Sequence, residues 1–171
     1  MTGVQTCALP ISRNDLLHLE PEKKHFNAVK TIDSLLAFFK LSIKMKNIEV
    51  DKEYSDSNVE VFADENMLRT SLRNIISNAI KYNKTNGKLI IQLNEKPDHT
   101  FLSIKDTGIG MDDSTIDKLF SYSASHQREG TLGESSSGIG LFLTRDFLKK
   151  NNIGVNVSSE IGKGTIFELT I

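Results

Sequence analysis

The chain has 171 residues, enough for one domain with a buried core and cramped for two. Its 21 Lys and Arg stand against 22 Asp and Glu, a formal charge of −1, so it lacks the basic field on which nucleic-acid binding draws. A single cysteine, Cys7, excludes an internal disulfide or a cysteine-rich metal site and fits a reducing, cytoplasmic compartment.

Residues 1–12 lack the charged start and sustained apolar stretch of a signal peptide. They show no period that joins them to the rest of the chain, and the run Gly3 to Ile11 is similar to a translated sequencing-adapter remnant. This leader is expected to be non-native or disordered. From Asn27 to about Lys46, Val29, Ile32, Leu35, Leu36, Phe39 and Ile43 recur at three- and four-residue steps, which predicts one amphipathic helix. Its most apolar run is broken by Lys40 and Lys44, well short of the ~20 residues that span a bilayer, so no direct membrane contact is expected. Ile48 to Tyr54 and Val59 to Phe62 read as two strands of a hairpin about Ser55-Asp56-Ser57-Asn58.

Asp64 is an N-cap, and Leu68, Leu72, Ile75, Ile76, Ala79 and Ile80 carry an apolar stripe to Tyr82. Lys88 to Leu93 and Thr100 to Lys105 predict a second hairpin. Asp112 to Phe120 reads as a short helix, and Ser121 to Ser137, rich in Ser and Gly, as a long loop. A helix over Gly138 to Lys150 comes next, then strands Ile153 to Ser159 and Thr165 to Ile171 about the Gly162-Lys163-Gly164 turn. The expected fold class is α+β, a two-layer sandwich with a mixed, mainly antiparallel sheet covered by helices.

Four polar elements lie on this frame. Asn74 and Asn78, four apart, share a helix face with Ser71 and with Lys81-Tyr82, and a carboxamide oxygen suits Mg²⁺ that already carries phosphate oxygens. Asp106-Thr107-Gly108-Ile109-Gly110 follows a strand, placing a carboxylate at a sheet edge beside glycines that allow close backbone approach. Ser137-Gly138-Ile139-Gly140-Leu141 opens a helix, where free N–H groups favour phosphate. Gly162 to Thr165 is the fourth. Each alone has an ordinary reading: a solvated helix face, a turn, a ligand-free helix start, a hairpin turn.

Together, in this order, they resemble the GHKL ATP-binding superfamily (the Bergerat-type fold) and within it the sensor histidine kinases, over about Phe26 to Ile171. Asn74 to Tyr82 looks like the N box, Asp106 to Gly110 the G1 box, Lys118-Leu119-Phe120 the F box, and Gly138 to Leu141 the G2 box. The resemblance implies ATP and Mg²⁺ as ligands, with Asn78 on the metal, Asn74 and Lys81 near the phosphates as the catalytic pair, and Tyr82 beside adenine. It implies that Asp106 accepts from adenine N6 with Thr165 in support. Gly108, Ile109, Gly110, Phe120, Gly138, Ile139, Gly140 and Leu141 would shape the pocket and its lid.

Two departures stand out. Ser136 and Ser137 occupy the start of the G2 box, where the family usually has a glycine. The lid offers only His126 and Arg128 as basic groups for a γ-phosphate, with Arg128 the better candidate and a solvated charge the ordinary alternative.

The hydrolytic relatives carry glutamate where Asn74 stands, and an amide cannot act as a general base, which favours the kinase branch over a hydrolytic clamp. In that branch the phosphoryl group goes to a histidine on a dimerisation domain and onward to a response regulator. His18, His25, His99 and His126 all lack the family's acceptor context. Residues 13–25 then read as a linker from dimerisation helices outside this chain, 26–171 as the catalytic domain, and the end at Ile171 as leaving no fused receiver. The full-length protein could be anchored to a membrane. A degenerate nucleotide-binding or docking module without kinase activity is the rival reading.

Overall fold

The computed structural model describes residues 19–120, 130–133 and 140–171. The leader, Arg128, Ser136, Ser137, Gly138, Ile139, His18 and His126 lie outside the described residues, as does most of the expected long loop.

Strand β1 (Lys23–Asn27) leads into α1 (Ala28–Phe38) and α2 (Lys40–Met45). Then come β2 (Glu49–Tyr54), β3 (Glu60–Asp64) and the long α3 (Glu65–Lys81). After β4 (Lys88–Glu95), β5 (Thr100–Asp106) and α4 (Asp113–Lys118), helix α5 (Gly140–Lys150) precedes β6 (Gly154–Glu160) and β7 (Gly164–Thr170). The main sheet has the order β2-β4-β5-β7-β6, with β2 parallel to β4 and the other neighbours antiparallel. A separate two-stranded sheet pairs β1 with β3. The mixed, mainly antiparallel sheet covered by helices is thus as expected.

Four details differ from the sequence reading, the first being β1, whose Lys23 to His25 lie in the expected linker. The expected hairpin of β2 with β3 does not form: β2 pairs with β4, Val50 opposite Leu89, and β3 pairs with β1, Val61 opposite Phe26. Each of the two strands meets its apolar partner elsewhere, and the connection between them merely crosses from one sheet to the other. The expected single helix is interrupted at Phe39, with φ −87° and ψ 6°, and no proline or glycine signals the break in sequence. Ser71 turns inward from the polar stripe and donates to Met67 O at 2.8 Å, a back-bond that satisfies a buried hydroxyl.

The core lies between one face of the sheet and the helices. Alternation along the strands turns Leu89, Ile91 and Leu93, Leu102 and Ile104, and Phe167 and Leu169 inward, while Gln92, Lys105 and Glu168 turn away. Helix α3 presents Leu68, Leu72, Ile75, Ile76 and Ala79 to that layer and packs beside α1 and α5. Each of those Leu and Ile side chains contributes about 1.5–3 kcal/mol by leaving water. Asp64 begins α3 as expected, its Oδ1 accepting from Met67 N at 2.9 Å, with Glu65 in the first turn. The consequence for function is positional: the C-terminus of α3, the end of β5 and the start of β7 converge. Among the described residues no helix is long and apolar enough to cross a membrane.

Candidate functional site at the end of the long helix

Asp106 is the last residue of β5, and it is only 5% exposed. Its Oδ1 accepts from the N–H of Gly108 at 2.8 Å and of Thr165 at 3.3 Å. Burial pushes its pKa up to about 6, against those two N–H groups, which favour the charged form. Both of those N–H groups lie on Oδ1, which leaves Oδ2 suited to accept from a ligand amine.

Glycines make this convergence possible. A Cβ on Gly108 would lie 2.2 Å from Tyr82 O, so only glycine lets the loop after β5 touch the end of α3. That contact is closed by Ile109 N, which donates to Tyr82 O at 3.0 Å. Gly164 has φ +114°, and a Cβ there would lie 2.0 Å from Asp106 O. The turn whose ordinary reading is a mere hairpin is therefore what brings Thr165 N–H onto the carboxylate.

Ser159, opposite Thr165 across β6 and β7, was not singled out from the sequence. Its Oγ accepts from Met111 N at 2.9 Å, lies 2.9 Å from Gly164 O and is 2.9 Å from Thr165 Oγ1. A hydroxyl has one proton, so with Ser159 donating to Gly164, Thr165 donates to Ser159 and turns its lone pairs outward. In a strand rich in polar residues, nothing distinguishes Ser159 from its neighbours until the fold closes.

On α3, Asn74 Nδ2 donates to Gly140 O at 3.0 Å and to Thr144 Oγ1 at 3.2 Å. The first N-box asparagine thus holds the start of α5, and a Cβ on Gly140 would approach Asn74 Cγ to 3.3 Å. Asn78, one turn on, is half-buried with no hydrogen bond from its side chain among the described residues. Lys81 is 8% exposed, and its ammonium is buried without a hydrogen-bond partner among the described residues, 5.1 Å from the Tyr82 ring centre. An unpaired buried cation is costly, and an anionic ligand would relieve it.

Phe120 and Leu141 pack partly buried against the core, whereas Ile109 exposes its side chain. The structure thus brings Asp106, Gly108, Tyr82, Lys81 and Thr165 into one neighbourhood, with Asn74 and Gly140 on its α5 side. No group of three or more His, Cys, Asp or Glu among the described residues could hold a metal by itself. The neutral Asn78 oxygen instead fits a hard cation arriving with phosphate oxygens, the coordination that suits Mg²⁺.

Residues 63–171 match the family described as histidine kinase-, DNA gyrase B- and HSP90-like ATPases. Sensor histidine kinase YvrG of Bacillus subtilis is 26% identical over 159 residues, 92% of this chain and 27% of that protein. Sensor histidine kinase GraS of Staphylococcus haemolyticus is 33% identical over 117 residues, 67% of this chain and 33% of that protein. The chain therefore spans no more than a third of these relatives. Among solved structures, the nucleotide-free catalytic domain of histidine kinase ThkA superposes with a TM-score of 0.74 at 23% identity, covering 88% of this chain and 95% of that one. Full-length ShkA in complex with AMPPNP gives 0.76 at 21% identity, covering 92% of this chain and 33% of that one, a likeness of fold. With its fold and its sequence in agreement, the chain belongs to the histidine kinase-, DNA gyrase B- and HSP90-like ATPase family.

Proposed function

We propose that this chain is the ATP-binding catalytic domain of a two-component sensor histidine kinase. It would hold ATP·Mg²⁺ and direct the γ-phosphoryl group to a histidine on a dimerisation domain, from which a response regulator receives it. The observation that carries this reading is the buried ammonium of Lys81, without a hydrogen-bond partner among the described residues, on the helix whose end meets the Asp106 loop. The named relatives are sensor histidine kinases, and one solved neighbour is ThkA in complex with a response regulator protein, which supports the same assignment.

Asp106 would accept from the adenine amine through the oxygen that its backbone partners leave free, and Thr165 would present a lone pair beside it. Tyr82 would flank the base, and Gly108, Ile109 and Gly110 would shape its cradle. Lys81 would neutralise phosphate charge, and Asn78 would hold Mg²⁺, which supplies further neutralisation of the triphosphate when bound. Asn74 would fix the start of α5, where Gly140 and Leu141 would border the nucleotide pocket, and Gly138, Ile139, Phe120 and Arg128 would serve it as the family resemblance implies. In the transfer, an acceptor imidazole nitrogen bonds to the γ-phosphorus as the bond to the bridging oxygen breaks and ADP leaves with that electron pair. The protein contributes alignment and charge stabilisation, and Asn74, an amide, activates no water.

Calorimetry with ATP and Mg²⁺ tests the reading. Saturable binding, with no acid-labile phosphoryl group on the chain alone and transfer once the parent's dimerisation domain is added, is the expected result. A folded chain that binds no nucleotide would instead make it a docking module.

A further inference from the structure

Lys46 is the C-cap of α2 and is 2% exposed. Lysine is seldom buried without partners, and a methionine would fill the same volume at less cost, so its ammonium demands explanation. It donates to Ile80 O at 3.0 Å, to Lys81 O at 2.5 Å and to Thr131 Oγ1 at 2.7 Å. Ile80 and Lys81 end α3, where carbonyls lack intrahelical partners and the helix dipole is negative, the place where a cation is most favourable.

Thr131 reaches the same point from the segment between the F and G2 boxes. Its N–H donates to Lys81 O at 3.1 Å, and its hydroxyl lies 2.7 Å from Asn83 O and 3.1 Å from Lys81 O. With one proton to give, the hydroxyl donates to the nearer Asn83 oxygen while accepting from Lys46. Three distant stretches of chain therefore meet at one carbonyl, and that carbonyl belongs to Lys81, whose buried ammonium has no hydrogen-bond partner among the described residues.

We infer that Lys46 and Thr131 are positioning residues that pin the end of α3 to segment 130–133 and so set where the Lys81 ammonium stands toward the nucleotide phosphates. The inference rests on the proposed nucleotide site. Both residues bond the Lys81 carbonyl itself, whereas the Asp106 carboxylate is held by the N–H groups of Gly108 and Thr165, so the pin should bear more on phosphates than on adenine. Loss of the pin therefore discriminates between ligands with and without phosphates, which general loosening of the fold would not do.

The test is calorimetry of Thr131→Val, Thr131→Ser and Lys46→Met with AMPPNP·Mg²⁺ and, separately, with adenosine. Thr131→Val and Lys46→Met should weaken AMPPNP about tenfold and adenosine less than about twofold. Thr131→Ser, which keeps the hydroxyl, should restore AMPPNP affinity. Should Lys46→Met fail to fold, the valine and serine variants on the exposed segment decide. Equal losses for both ligands in Thr131→Val, or parental AMPPNP affinity there, would overturn the inference. If the parent binds neither ligand, the nucleotide reading falls and amide exchange judges the pin. An N–H at position 131 that is slow in the parent and fast in Thr131→Val upholds it, and unchanged exchange refutes it.

Discussion

At one end of the candidate site, the Asp106 carboxylate, the Ser159 and Thr165 hydroxyls and the N–H groups of Gly108, Met111 and Thr165 are bonded to one another. At the other, Lys81 keeps a buried ammonium without a hydrogen-bond partner among the described residues. The first end is preorganised: its groups are held by two strands and a glycine turn before any ligand arrives, as recognition of a flat base requires. The second is left incomplete, with a cation whose burial cost is offset only when negative charge comes. On the proposed reading, the base would be recognised by the bonded network, and phosphate would relieve the buried charge at the other end.

The largest effect should come from Asp106→Asn. The amide keeps an oxygen for Gly108 and Thr165 but sets a donor against the adenine amine, so ATP affinity should fall about a hundredfold with the fold retained. Retained affinity in calorimetry would remove Asp106 from the adenine contact.

The same variant exposes a pH effect in the free protein. Asp106 titrates near 6 when folded, above its ordinary value of 3.8, so its protonated form favours the fold. That contribution is complete below the unfolded pKa and is lost as pH rises through about 6, a difference of about 3 kcal/mol. Urea unfolding should find the parent losing stability relative to Asp106→Asn between about pH 4 and 7. Parallel profiles would mean that the carboxylate carries no burial cost.

Lys81→Met should separate binding from stability at the opposite end. Affinity for AMPPNP should drop more than about tenfold, yet the ligand-free protein should gain about 1 kcal/mol, or roughly 2–4 °C in Tm, because an unpaired buried charge is gone. A lower Tm would show that the ammonium already has a stabilising role, and the contrast between the two ends would dissolve. Smallest of all, Ser159→Ala should release the Thr165 hydroxyl and weaken adenosine and ATP alike, by about threefold to tenfold. Selective loss of ATP alone would place Ser159 with the phosphate end instead.

Much of this was legible because it is local. Asp64 with its following stripe marked the long helix, and the Asp106 and Gly162 to Thr165 elements stood in the right order on a strand end and a hairpin turn, with Gly140 and Leu141 at a helix start. The strand partners were not legible: β2 and β3 sit close in sequence with a turn-forming stretch between them, yet each pairs elsewhere. Strand β1 was hidden as well, since Lys23-Lys24-His25 shows no apolar alternation and gains its ladder only from β3. Asn74 was legible as a site residue, but its bonds to Gly140 and Thr144, which tie α3 to α5, were not.

By itself, then, the sequence determined the family, most of the order of elements and the candidate residues, because capping, periodicity and glycine placement are written within a few residues of one another. Tertiary structure alone decided which of those residues meet. Lys46 finds its oxygens 34, 35 and 85 residues away, and Asp106 finds the Thr165 N–H 59 residues away. Such bonds depend on where strands and helix ends come to rest, and their energy is gained only after the chain has closed those long loops.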